Sequence, residues 1–196
     1  EGIKLPYVRT FLNQINWKKS LGNLKLRGGS ESASEGSYAS GRIMNYGLAE
    51  QILTTRKIDP YAKFVFVVRT TDDIENIKDL VRFLALEPDD AAAVGNDGTN
   101  WPQKRIDLGI YKKIDSIIEL GNEEDMQYYS SEEELSAGAA AYIERCSRII
   151  DEIRKIKADI KISVLTYTTP HDRTGRTMLW NKPVIGQMGA KADYIA

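Results

Sequence analysis

The run KFVFVVR, Lys63 to Arg69, constrains the fold more than any other segment. Five apolar residues in succession, Phe64 to Val68, leave no polar face to turn toward water. A strand of this kind suits a parallel sheet covered on both sides. Two more runs share the pattern, Ile114 to Leu120 and KISVLTY, Lys161 to Tyr167. Leu24 to Arg27 reads as a shorter strand ending at Gly28 and Gly29, and Ala192 to Ala196 as the start of a last one.

Helical patterns separate these runs. Residues 7–20 carry Val8, Phe11, Leu12 and Ile15 at near-helical spacing, with Leu21 beyond, and predict a first helix. Ile43, Tyr46, Leu48, Ile52 and Leu53 predict a second. Asp72 with Glu75 forms a capping-box pattern ahead of the stripe Ile74, Ile77, Val81 and Leu84. Ser131 with Glu134 opens the longest helix, whose stripe runs from Leu135 through Ala139, Tyr142, Ile143, Cys146, Ile149, Ile150 and Ile153 to Ile156. Cys146 lies inside that stripe and reads as core packing. Residues 88–113 are rich in loop formers. Five strands alternating with helices predict an α/β fold with a parallel sheet and right-handed crossovers. An open doubly wound sheet and a (β/α)8 barrel both satisfy the pattern, and in both, ligands gather at the carboxyl ends of the strands.

Composition removes several classes of function. Among 196 residues, 27 basic and 28 acidic side chains leave a net charge of −1, which gives no electrostatic reason to expect nucleic acid or an anionic membrane as partner. The longest apolar run is strand-sized, far short of a bilayer span. One cysteine excludes an internal disulfide and a cysteine-based zinc cluster, and one histidine, His171, excludes a multi-histidine metal site. No metal or organic cofactor is required by any motif. The N-terminus, EGIKLPYVRT, has neither an initiator methionine nor a basic region leading into an apolar block, so it leaves the compartment open.

Among motifs, the glycines at 28, 29, 36 and 41 match neither GxGxxG nor GxxxxGK[ST], and the loop GGSESASEG is acidic, which repels phosphate. His171 sits in TPHDRTG without any G-x-S-x-G elbow to supply a nucleophile. Trp101, Trp180 and Tyr167 lie in or near loops that follow strands; each reads as a platform for a sugar ring or as a packing anchor, and position leaves both readings open. The segment SIIELGNEED, residues 116–125, is more pointed. A hydrophobic strand stops at Gly121, which permits a bend, and Asn122 and Glu123 follow at once. Glu123 is the candidate catalytic acid, with Glu124 and Asp125 read as solvated charges in the first turn of a helix.

The ordered segments LGNLKLRGGS, RIMNYGLAEQIL, KFVFVV, IIELGNE and WNKPVIGQMGAKADYIA resemble the core of clan A retaining glycoside hydrolases, most closely the α-L-arabinofuranosidase-type branch. The resemblance covers most of the chain, with ELGNE and NYGLAEQIL its strongest pieces. It implies a (β/α)8 TIM-type barrel acting on terminal sugars, with a carbohydrate substrate, no cofactor, and room for a homo-oligomer of the intact protein. Asn122 and Glu123 would lie at the end of the fourth strand, Glu123 as general acid/base and Asn122 as a donor to the sugar 2-hydroxyl. Arg27 would help orient a nucleophile, although the family's Arg-x-Pro-Gly-Gly is here Arg27-Gly28-Gly29. Trp101 and Tyr167 complete the expected substrate contacts.

The family's nucleophilic glutamate belongs to a seventh strand, while this chain supplies about five and opens, on this reading, with a helix. Residues 1–196 are therefore expected to form a partial barrel truncated at both ends and inactive alone. Two other readings remain: a carbohydrate-binding or scaffold protein built on the same barrel without hydrolysis, and an unrelated parallel α/β protein in which GNEED merely starts a helix.

Overall fold

The computed structural model describes residues 4–12, 17–21, 47–124, 128, 131–167, 175 and 177–196. Among the described residues, five strands form one parallel sheet in sequence order: β1 (Tyr7–Phe11), β2 (Lys63–Val68), β3 (Ser116–Leu120), β4 (Lys161–Val164) and β5 (Tyr194–Ile195). Helices α1 (Trp17–Ser20), α2 (Leu48–Ile58), α3 (Ile74–Ala85), α4 (Trp101–Asp107), α5 (Glu132–Ile156) and α6 (Lys182–Met188) occupy the connections, α6 continuing a π-helical turn over Thr177–Asn181. In the register of β3 on β4, Ile118 faces Ile162 and Leu120 faces Val164, while Ser163 faces Tyr194 of β5. The α/β class and parallel sheet expected from the sequence are therefore present.

The chain divides into two compact units, one from Glu1–Phe66 and Asp79–Ser116, the other from Val67–Lys78 and Ile117–Ala196. In the first, Phe64 and Phe66 of β2 stack at 5.4 Å and are fully buried. Leu48 and Ile52 of α2 and Leu80, Val81, Phe83 and Leu84 of α3 are buried as well. Trp17 lies 5.8 Å from Phe83 and 5.2 Å from Trp101. Two buried charged clusters belong to this unit. Asp79 takes hydrogen bonds from Arg82 at 2.6 Å and Lys18 at 2.5 Å. Arg105, wholly buried, donates to the carbonyls of Phe83 (3.0 Å), Leu86 (2.9 Å) and Ile110 (3.2 Å) and pairs with Glu87. Carbonyls at the end of a helix lack intrahelical partners, and one guanidinium fork satisfies several around the end of α3.

The second unit rests on α5. Ser131 caps it by accepting from the Glu134 amide at 3.1 Å, and Glu132 to Glu134 fill the first turn, where carboxylates complement the helix dipole. Its expected stripe is buried from Leu135 to Ile153. Cys146 is in that core, and burial pushes its thiol up to about 12, so it is no nucleophile. Trp180 is fully buried and lies 5.2 Å from the Tyr142 ring.

Four local expectations change. The segment expected to open the chain as a helix over 7–20 is a strand at Tyr7–Phe11, with helix only at Trp17–Ser20. Val8 and Thr10 are β-branched, Tyr7 and Phe11 aromatic, and Arg9 lies over the Phe11 ring, a two-residue spacing that only a strand places on one face. Residues 88–113 contain α4, which begins at an Asn100 cap with Pro102 in the first turn. Helix α3 is opened by Asp73, which accepts from the Glu75 amide, rather than by an Asp72–Glu75 box; Asp72 instead bonds the Asn76 side chain. Ile156 at the end of the α5 stripe is half-exposed. The strand expected at Leu24–Arg27 and the helix residues Ile43 and Tyr46 lie outside the described residues.

Candidate functional site

Every described part of the candidate site belongs to the second unit. Strand β3 ends at Leu120, and the ladder reaches one residue further, where the Gly121 amide donates to the Val68 carbonyl at 2.9 Å. There the backbone turns sharply: Gly121 has φ 89° and Glu123 φ 52°. Glu123 is the only non-glycine residue with positive φ among those described. A glutamate has no intrinsic reason to adopt the left-handed region, which costs an ordinary L-residue about 1–2 kcal/mol. The Glu123 side chain is exposed, and Asn122 beside it is half-buried.

Glu124 corrects the expectation of a solvated charge at a helix start. It is 6% exposed and folds back over Gly121, where a Cβ would stand 2.5 Å from its Cγ. The hydroxyl of Thr70, two residues past β2 and itself buried, donates to Glu124 Oε1 at 3.0 Å. The same Thr70 oxygen accepts from Arg145 Nε at 3.2 Å, and Arg145 Nη2 lies 3.5 Å from Glu124 Oε2. Three side chains from β2's exit, β3's exit and α5 thus close a ring of polar contacts. A buried carboxylate is retained only when paired in this way. Asp125 lies outside the described residues.

Helix α5 holds the strand ends with two further residues. Tyr142, three positions before Arg145, donates its hydroxyl to the Leu120 carbonyl at 2.7 Å and accepts from the Leu165 amide at 2.7 Å. Burial raises its phenol well above the ordinary tyrosine range, so it stays a donor. Gly138, one turn earlier, leaves room for the Tyr128 ring, which a Cβ there would strike. Tyr167 follows β4 and is half-buried. Its backbone is gripped on both sides by the Asn181 amide, which accepts from the Tyr167 N–H at 2.7 Å and donates to its carbonyl at 2.6 Å.

Of the residues singled out from the sequence, the structure places Asn122, Glu123 and Tyr167 beyond the carboxyl ends of the neighbouring strands β3 and β4. Arg27 and His171 lie outside the described residues. Trp101 is 5% exposed at the start of α4, packed on Trp17 with the Lys18 ammonium over its ring. Its ring is a packing anchor in the first unit, with no exposed face for a sugar, and Trp180 is likewise core. Sequence reasoning missed Thr70, Glu124 and Arg145. Thr70 carried one usable signal, a hydroxyl just past a buried strand; nothing in the sequence tied it to the other two.

Among the described residues, no group of three His, Cys, Asp or Glu could hold a metal ion, and no helix is long and apolar enough to cross a membrane. An open groove of about 670 Å³ runs along α5 beside Gln187 of α6, lined mostly by charged residues such as Glu144, Arg148 and Asp151 and by no aromatic ring.

No family model matches the sequence, and no curated protein matches it significantly. Among solved structures, the chain is similar to AbfB, a family 51 alpha-L-arabinofuranosidase from Bifidobacterium longum. That likeness covers 99% of this chain and 35% of the other, with TM-score 0.61 and 15% identity. A second match, to a GH86 protein in complex with neoagarooctaose, covers 75% of this chain and 26% of the other at 18% identity; its TM-score of 0.40 is too low to bear on the fold. The chain thus spans about a third of the length of the arabinofuranosidase it resembles. At this identity the likeness concerns the fold alone, a parallel α/β sheet with helices.

Proposed function

We propose that this chain is part of a retaining glycoside hydrolase that removes terminal α-L-arabinofuranosyl or related sugars of plant polysaccharides, with Glu123 as general acid/base. The observation that carries the reading is the backbone at Glu123. An exposed carboxyl is held in a left-handed conformation immediately beyond the carboxyl end of a parallel strand, where α/β folds gather their ligands. Backbone of this kind persists where surrounding contacts over-determine it, and such positions cluster at active sites.

In this mechanism Glu123 protonates the glycosidic oxygen as the bond breaks, and a second carboxylate attacks the anomeric carbon from the opposite face. The two carboxyls of a retaining pair stand about 5–5.5 Å apart. Glu123 then takes a proton from the water that releases the sugar. Asn122, adjacent on the same bend, is the proposed partner of the sugar 2-hydroxyl, and Tyr167 beyond β4 a contact for the ring. Arg27 is proposed to orient the nucleophile. The second carboxylate comes from a later strand of a (β/α)8 barrel, of which these five strands form part.

The test is Glu123→Ala in the full-length polypeptide that contains this chain. Turnover of glycosides with poor leaving groups should fall by about 10²–10⁴-fold, the usual worth of general acid/base catalysis. The glycosylation step on activated aryl glycosides, which needs little proton donation, should be spared. Equal activity of mutant and parent on the poor leaving groups would remove Glu123 from the mechanism. Sugar binding with no turnover by the parent would favour a non-catalytic carbohydrate-binding protein.

A further inference from the structure

We infer that Glu124 is a positioning residue for its neighbour: anchored by Thr70 and Arg145, it holds Glu123 in its left-handed backbone and so aims the acid/base carboxyl. The inference rests on the reading of Glu123 given above. The four residues 121–124 form an arc fastened at both ends to the exit of β2. At one end the Gly121 amide is bound to the Val68 carbonyl. At the other the Glu124 carboxylate is bound to the Thr70 hydroxyl, two residues further along the same exit.

Between these fixed points stand only Asn122 and Glu123. Relaxation of the φ of 52° at Glu123 toward the ordinary region would pull on these anchors, because a change in one backbone dihedral of a short closed arc displaces everything after it. Gly121 allows the arc to be this tight: its own φ is 89°, and the Glu124 side chain occupies the space a Cβ would need.

The polar ring has the composition such an anchor requires. Thr70 uses its hydroxyl both ways, donating to Glu124 and accepting from Arg145. Arg145 in turn faces the second carboxylate oxygen and remains 21% exposed, so its charge keeps contact with water. The arrangement fixes the direction of the Glu124 carboxyl in two dimensions, where a single hydrogen bond would let it pivot. A misplacement of about 1 Å at a reacting group can cost on the order of 10²-fold in rate.

The experiment uses the full-length polypeptide and three variants, Glu124→Ala, Glu124→Gln and Thr70→Val, with Glu123→Ala alongside. Glu124→Ala should lower kcat on glycosides with poor leaving groups by about 10–100-fold, with KM nearly unchanged and activated aryl glycosides slowed far less. Glu124→Gln keeps an acceptor for Thr70 and should recover most of the loss, while Thr70→Val should reproduce part of it. An equal loss on every substrate, in step with the folded fraction, would mean a merely stabilising cluster and would overturn the inference. A crystal structure of Glu124→Ala separates this question from the acid/base assignment. Glu123 should leave the left-handed region; a backbone unchanged from the parent overturns the positioning role even if Glu123→Ala upholds the chemistry.

Discussion

Two of the buried charged clusters in this molecule, those of Arg105 and Glu124, solve the same electrostatic problem in opposite ways. Arg105 sits where a helix hands over to the following strand, and its guanidinium is consumed by main-chain carbonyls around the end of α3. Glu124 sits where a strand hands over to a helix, and its carboxylate is consumed by two side chains, Thr70 and Arg145. The first cluster closes a helix end and leaves no strained backbone beside it. The second leaves a left-handed glutamate directly adjacent and exposed. Both clusters cost desolvation, yet only the second stands next to an exposed side chain on left-handed backbone. In α/β folds the connections that follow strands carry chemistry and those that precede them carry stability. With Glu123 as the proposed acid/base, the difference between the clusters follows that division.

The largest expected effect tests the stability side. Arg105→Met should cost about 3 kcal/mol or more, because several buried carbonyls lose their donor and Glu87 loses its partner. For a chain of this size that corresponds to a fall in Tm of roughly 6–12 °C. Activity per folded molecule should not change. A loss below about 1 kcal/mol in urea titration would show that Arg105 is not what closes the end of α3.

Gly121→Ala comes next, at about 2 kcal/mol, since φ 89° disfavours any side chain and the added methyl would displace Glu124. Gly98 is the control. Its φ is 80° with open space around it, so Gly98→Ala should cost only the conformational part, about 1 kcal/mol. Equal costs for the two alanines in denaturant titration would break the claim that Glu124 occupies the Gly121 site.

The smallest effect has the opposite sign. Glu123→Gly should raise stability by about 1 kcal/mol, because glycine adopts the left-handed region freely. A substitution that strengthens the fold while abolishing turnover would mark Glu123 as retained for chemistry. A destabilising Glu123→Gly, measured by the same titration, would instead make the glutamate part of the scaffold.

How much of this was legible in the sequence depended on how local the cause was. Strands β2, β3 and β4 and helices α3 and α5 were readable because continuous apolar runs and long stripes report burial directly. The bend after β3 was readable from Gly121 alone. Strand β1 was not, since Val8, Phe11 and Leu12 suit a helix as well as a strand, and pairing with β2 decides between them. Helix α4 was short enough for its loop-forming neighbours to hide it, although Asn100 and Pro102 mark its start. The role of Glu124 could not be read locally at all. It depends on Thr70, 54 positions earlier, and on a turn of α5 that brings Arg145 alongside. A carboxylate beside two other acidic residues has the same sequence signature whether it faces water or a buried threonine.

One consequence follows from the phenol of Tyr142. The Leu165 amide donates to that hydroxyl, and not to a neighbouring strand. Its exchange with solvent deuterium should therefore report how firmly α5 is seated. Since Arg145 rides on the same helix, the Leu165 amide is a built-in clock for the support beneath Glu124. It can be followed by NMR in the resting protein, without substrate.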